Sequence, residues 1–459
     1  MKIKYIFKNT VLFLLLLLYN FTTAQCFQKI STGDSHSAAV GTDGSLWTWG
    51  QNTNGQLGDG TTVNKSSPTQ IGSATNWSNL SASENHAFAI KNDGTLWGWG
   101  SNINGLLGDG TSIDKYIPTQ IGTDTNWSTI KAGNYFTLAL KTDGTLWGWG
   151  VNLYGQLGDG TTAGRNIPMQ IGTANNWSTI SSGFHHAVAL KTDGTLWTWG
   201  LNNNGQLGDG TNIDKYMPVQ VGNATNWSTI SAGEYRTNAI KTDGTLWGFG
   251  SNGYGQLGDG TTVNKNVPTQ AGTATNWNIL NSGAFQTLAL KTDGTLWAFG
   301  NNTYGELGDG TTIDKNVPTQ IGTNANWNII NTGLHHSMAL KSDGSLWTWG
   351  QNTNGQLGDG TNVSKIIPTP IACPLLSTIY ITGASKLKVY PNPAHGFLKI
   401  EAGEPILQTI ITDCNGRTIK TDKQDATTVT LSIENLQAGS YFLKIVTPNG
   451  NSAAKFVKE

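Results

Sequence analysis

"LWTWGQNTNGQLGDGT" occupies Leu46–Thr61, and near copies begin at Leu96, Leu146, Leu196, Leu246, Leu296 and Leu346, in steps of 50 residues. A fixed period of this length marks a repeat architecture, in which each unit buries its apolar faces only against its neighbours. With 459 residues the chain exceeds what one ordinary core holds, about 250–300 residues, and a repeat array escapes that bound. Around the quoted stretch each unit reads "NWSTI" (Asn126–Ile130), "TLALK" (Thr137–Lys141), "TDGT", "LWGWG" (Leu146–Gly150), a long Gly-rich loop and "IPMQIG" (Ile167–Gly172). These are four short strands. The Asp-Gly between the second and third is a hairpin signal, read here as a two-residue turn with positive φ. On "LWGWG" Trp147 and Trp149 share one face and Leu146 takes the other, so the sheet is apolar on both sides and needs cover on both. The expected fold is all-β, a seven-bladed β-propeller. An open solenoid would need atypical capping repeats, yet the copy starting at Leu346 is identical to the first.

The ends of the array carry a further expectation. The first unit enters at "CFQKI" and the last leaves at "PTPIACP", so the termini are expected to close the ring by completing one blade together. On the 50-residue frame Cys26 and Cys373 fall three positions apart in one connection, within reach of a disulfide in an exported chain. Two unpaired thiols are the alternative, and Cys414 then has no partner.

Export is itself an expectation from the N-terminus. Lys2, Lys4 and Lys8 precede the apolar run Val11–Leu18, and Thr22 and Ala24 suit cleavage after Ala24, which makes residues 1–24 a signal peptide. The run falls short of the ~20 apolar residues that span a bilayer, and no transmembrane segment is expected in the mature chain. A lipid anchor on Cys26 is disfavoured by Gln25, which stands where a small residue is required. Charged residues make up 12% of the chain and the net charge is -1, so no field is present to attract nucleic acid.

Because the copies nearly match, their differences are informative. Three residues before the "xxAL" strand vary: Asp34-Ser35-His36, Glu84-Asn85-His86, Asn134-Tyr135-Phe136, Phe184-His185-His186, Glu234-Tyr235-Arg236, Ala284-Phe285-Gln286 and Leu334-His335-His336. So do the residues after "LWxWG", including Tyr154, Tyr254 and Tyr304, and the counterparts of Ser66, including Tyr116 and Tyr216. The two strands form a hairpin, so both sets lie on one rim, opposite the Asp-Gly turns. Tyr, Phe and His supply large contact area at low entropic cost, which suits a recognition surface. Loops also vary simply because they tolerate change. The expected contact residues are Tyr135, Phe136, Tyr154, Phe184, His185, Tyr235, Arg236, Tyr254, Phe285, Gln286, Tyr304 and His335; His36, His86, His186 and His336 read as fold-supporting.

Other chemistry is disfavoured. No His-x-x-x-His or Cys-x-x-Cys spacing occurs, and the "LGDGT" aspartates lack a calcium-loop pattern, so neither metal nor cofactor is expected. No Gly-x-Ser-x-Gly elbow, P-loop or dinucleotide fingerprint is present, and no enzyme is expected. Lys65, Lys115, Arg165, Lys215, Lys265, Lys315 and Lys365 recur once per unit and read as solvated cations.

The unit "ISSGFHHAVALKTDGTLWTWGLNNNGQLGDGTNIDKYMPVQV" (Ile180–Val221) closely resembles the RCC1 repeat of the regulator of chromosome condensation, and the likeness covers residues 27 to 373. It implies a seven-bladed propeller used as a binding disc. The eukaryotic namesake acts in nucleotide exchange on a small GTPase and on chromatin, which an exported chain without a basic tail does not inherit; a bacterial relative covers β-lactamases with one disc face. After Pro374 the period ends. Residues 385–459, beyond a linker at 374–384, read as a small β-sandwich. With Tyr390-Pro391-Asn392-Pro393, Asn415-Gly416, Gly439-Ser440-Tyr441 and Lys455-Phe456-Val457-Lys458, they resemble the type A sorting domain of the Bacteroidetes type IX secretion system. That resemblance implies handling by the type IX machinery and a place outside the cell or on its outer surface. The functional expectation is a binding protein whose propeller, residues 25–373, takes a protein partner on the variable rim; a glycan ligand is the second reading and an enzyme on a surface polymer the third.

Overall fold

The computed structural model describes residues 26–372, 388–391, 394–412, 418–437, 439–448 and 450–458. Seven four-stranded antiparallel sheets follow one another along the chain, each drawn from one 50-residue unit. Blade 1 comprises Phe27–Thr32, His36–Gly41, Leu46–Gly50 and Lys65–Gln70; blade 7 comprises Trp327–Thr332, His336–Lys341, Leu346–Gly350 and Lys365–Ile371. The inner strands of all seven line one central channel of about 340 Å³.

The expectation of a shared closing blade is therefore corrected, and the reason lies in the quoted loop. Asn52 is its hub: its amide nitrogen donates to Asp59 Oδ1 (3.0 Å) and Thr61 O (3.0 Å), while its oxygen accepts from Leu57 N (2.9 Å). So held, the loop leans on the following blade. Trp99 Nε1 donates to Gln56 O at 2.9 Å, Leu57 is fully buried, and Gly60 N donates to Tyr116 O. Gly58 needs its lack of a side chain: its φ is +72°, and a Cβ there would sit 2.8 Å from the Trp99 ring. Each blade thus grips the next head to tail. The last loop closes the ring with the same grip, Trp49 Nε1 donating to Gln356 O at 3.0 Å and Gly360 N to Ser66 O at 2.8 Å. No strand exchange is required.

The Asp-Gly rim is corrected in detail. In blade 3 the turn carries three residues, Thr142-Asp143-Gly144, with Gly144 N donating to Lys141 O (3.0 Å); only the glycine has positive φ (+78°). This is a type I turn completed by a left-handed residue, and the aspartate serves as a cap, accepting from Thr145 N and Oγ1. Beside each turn of blades 2–7 a lysine lies between two tryptophans, as Lys191 does at 4.9 Å from the Trp177 ring and 4.0 Å from that of Trp197. Blade 1 has Phe27 and Gly41 at two of these positions. Each outer strand carries a proline at its fourth position (Pro68, Pro118, Pro168 and their counterparts), which removes a donor from the open edge and blocks sheet-to-sheet pairing.

Cys26 is buried and disulfide-bonded. Its expected partner Cys373, Cys414 and the expected signal peptide lie outside the described residues. The tail forms one five-stranded antiparallel sheet. Its long strand Phe397–Thr412 pairs with Lys388–Tyr390 at its start, with Thr418–Ser432 along its length and with Gly439–Thr447 at its end. Leu398, Ile400, Ile411, Leu431, Leu443 and Phe456 fill a core separate from those of the blades.

Candidate interaction face

The inner strand of each blade ends in a tight connection whose residues 34, 35 and 36, and their counterparts, meet the variable face. Position 36 then turns inward. His36, His86, Phe136, His186, Arg236, Gln286 and His336 are all fully buried. Phe136, Arg236 and Gln286 are therefore removed from the expected contact set: each reaches under the connection toward the neighbouring blade. The Arg236 guanidinium donates to Ala284 O (2.6 Å), Gln286 O (2.6 Å) and Thr287 Oγ1 (3.1 Å), and Gln286 donates to Gly333 O (3.1 Å). His186 Nε2 and Thr237 Oγ1 are hydrogen-bonded at 3.1 Å, as are His336 Nε2 and Ser37 Oγ at 3.0 Å across the ring closure. The expected structural role of the four histidines fits this packing. Burial pulls His36, His186 and His336 down to about 3 and His86 to about 4, so all four imidazoles are neutral at physiological pH.

The other nine expected residues come together on the face. Tyr135, Tyr154, Phe184, His185 and Tyr235 form one cluster across blades 3–5. Tyr135 stacks on His185 (centroids 5.1 Å, planes 11° apart) and meets Phe184 edge-on at 5.0 Å; Tyr154 lies 4.9 Å from His185 and Tyr235 5.4 Å from Phe184. Tyr254, Phe285, Tyr304 and His335 form a second cluster across blades 5–7, with Tyr254–Phe285 at 5.5 Å and Tyr304–His335 at 4.7 Å. Tyr254 is 44% and Tyr304 39% exposed, and the other seven are half-buried. Glu306, which replaces the usual Gln of the loop, braces the second cluster by accepting from Tyr304 N at 2.7 Å and approaching His335 Nδ1 at 3.4 Å. Blades 1 and 2 present a polar sector instead, in which Asn54 donates to Asn85 at 3.0 Å.

Charge is distributed in a way the sequence alone did not reveal. The recurring cations are spent within their own units: Lys65 pairs with Asp59 (3.3 Å), Arg165 with Asp159 (2.8 Å), Lys365 with Asp359 (3.5 Å), and the other four likewise. Asp34, Glu84 and Glu234 meanwhile converge on the channel mouth, where burial raises all three carboxyls, and repulsion from neighbouring carboxylates adds to it at Asp34, which reaches about 7, and at Glu234. Burial and the same carboxylates raise the Tyr135 phenol. The signal was present in the acidic residues at position 34 and its counterparts, but only a closed ring brings units 1, 2 and 5 together. Among the described residues no group of three or more His, Cys, Asp or Glu is disposed to hold a metal ion, and no helix is long and apolar enough to cross a membrane.

Comparison with known proteins agrees with this architecture. The RCC1-like domain profile matches residues 18–229, and the regulator of chromosome condensation (RCC1) repeat matches 243–290, 293–340 and 343–384. A secretion system C-terminal sorting domain matches 388–459, which marks the chain for type IX export to the cell surface or the extracellular space. No curated protein sequence matches this chain. Among solved structures, human WBSCR16 is 22% identical with a TM-score of 0.65, covering 72% of this chain and 94% of its own. Prp20p from Saccharomyces cerevisiae, studied for its binding to Gsp1p and histones, is 21% identical with a TM-score of 0.65, covering 72% and 87%. At such identities the shared property is the fold. The chain belongs to the RCC1-repeat proteins, as a seven-bladed propeller followed by a secretion-system sorting domain.

Proposed function

We infer that the protein is an exported binding module, not an enzyme, and that its propeller holds a macromolecular partner, in the first instance a protein, on the face carrying the two aromatic clusters. The observation that supports this most is the convergence of nine variable aromatic and imidazole side chains from five blades on one side of a ring whose scaffold is otherwise repeated. Half-buried tyrosines braced by neighbours are rigid anchors of the kind that dominate interface energies. A glycan ligand is the second reading, favoured by the exposed rings of Tyr254 and Tyr304. Affinity capture on the mature chain, comparing wild type with Tyr235→Ala combined with Phe184→Ala, tests the face: loss of a defined partner at unchanged thermal stability supports it, and undiminished capture contradicts it. Competition by soluble glycans that abolishes capture moves the reading to the lectin.

A further inference from the structure

We propose that the channel mouth at the centre of this face is a recessed pocket for a lysine or arginine side chain presented by the protein partner, a refinement that rests on the face being the binding surface.

Geometry comes first. The mouth opens inside the aromatic arc, with Tyr135 and Phe184 on its lining, and leads into a channel of about 340 Å³. That is the low end of ligand-pocket volumes, about 300–1,000 Å³, and admits one extended side chain while the body of the partner rests on the surrounding rings. An aromatic wall is attractive to a cation entering along it.

Charge complementarity selects the cation. Asp34, Glu84 and Glu234 face the same opening, and among the described residues none of them forms an ion pair. The Asn85 amide next to Glu84 favours its ionised form. Glu234 Oε2 is buried with no hydrogen-bond partner, a placement that carries a cost until a donor arrives. The positive groups nearby do not meet this demand. Arg236 lies beneath Glu234 with its guanidinium committed to backbone carbonyls and Thr287; His335 interacts with Glu306; Lys131 lines the same channel without a bond to any of the three carboxylates. The seven recurring cations, Lys65 and its counterparts, are paired within their own units. A desolvated ammonium or guanidinium entering here would satisfy the free carboxylate oxygens with charge-assisted hydrogen bonds. An acidic or neutral insert would leave them opposed or unsatisfied.

The test uses the mature chain and an end-blocked tetralysine peptide, with tetraglutamine as control, in calorimetric titration at pH 8 and low salt. Tetralysine is expected to bind and tetraglutamine not. Asp34→Asn combined with Glu84→Gln is expected to weaken tetralysine binding at least about tenfold, while Asp124→Asn, at an exposed carboxylate on the opposite rim, leaves it unchanged. Equal binding of the two peptides, or equal weakening by the double variant and by Asp124→Asn, overturns the proposal. The two readings separate as well: if Tyr235→Ala with Phe184→Ala abolishes partner capture but the carboxylate variant affects neither capture nor peptide, the face stands and the cation pocket falls.

Discussion

The two rims of the ring are built from the same seven units and treat them differently. On the Asp-Gly rim the contacts recur almost unchanged: the cap of Thr95 on Asp93 is that of Thr195 on Asp193 at the same 3.0 Å and 2.6 Å, and the lysine lies over the third-strand tryptophan at 3.8–4.1 Å in all six blades that have it. On the other rim the loop backbone is just as constant, but the residues it displays pass from Ser35 and Asn85 to Tyr135, His185, Tyr235, Phe285 and His335. Repetition persists where a residue holds one blade to the next. Variation collects where the scaffold no longer depends on the side chain, with one exception: position 36 and its counterparts vary and are nonetheless buried.

That exception supplies the test with the largest expected effect. The four buried histidines are held below their ordinary value of 6.5, so the unfolded chain takes up protons that the folded chain refuses once the pH drops below about 6.5. Stability contributed by each is then complete above 6.5 and is lost as pH falls toward 4, by at most just over 1 kcal/mol per pH unit per histidine. The raised carboxyls of the mouth act in the opposite direction over part of that range. Denaturant titrations from pH 7.5 to 4.5 are expected to show falling stability, with a shallower slope for His336→Gln; an unchanged slope would mean that this ring is not buried as described.

Within the constant scaffold, Trp199→Ala removes a buried ring and its bond to Gln156 O, at an expected cost of about 3–5 kcal/mol in the unfolding free energy. Two adjacent residues then sharpen the contrast between scaffold and face. Arg236→Ala empties the space of a fully buried side chain and removes its bonds to Ala284 O and Gln286 O of blade 6, at an expected cost of about 3 kcal/mol, whereas Tyr235→Ala is expected to cost under about 1 kcal/mol and to reduce partner capture. Calorimetry and capture on the same two preparations check both. The smallest effect is expected on the monotonous rim, where Lys191→Ala loses one cation between two indoles, about 0.5 kcal/mol, with no change in capture.

Much of this was legible in the sequence because the period fixes which residues are equivalent, and strand alternation fixes which side they take. Blade number, strand order within a blade and the shared rim of Tyr135, Tyr154 and Tyr254 follow from that; the type of tail rests instead on its motifs' resemblance to a sorting domain. Position 36 misled because alternation assigns a side, and both sides of a blade are covered; Phe136, Arg236 and Gln286, like the histidines, pack against the following blade. The usable signal was the glycine three residues earlier. A Cβ at Gly233 would lie 2.6 Å from Arg236, and Gly133, Gly183, Gly283 and Gly333 stand in the same relation to their own partners. The acidic mouth was illegible for a different reason, since Asp34, Glu84 and Glu234 are separated by up to 200 residues and only ring closure unites them.

Site-specific photocrosslinking tests the central claim most directly. A crosslinker placed at Tyr235 on the variable face, and separately at exposed Asn324 on the opposite rim, would be activated on the intact secreting cell or in its medium. A discrete adduct from position 235, reduced by Phe184→Ala, with none from position 324, is the predicted result. Adducts of equal yield from both positions, or from 324 alone, would contradict the assignment of binding to the aromatic face.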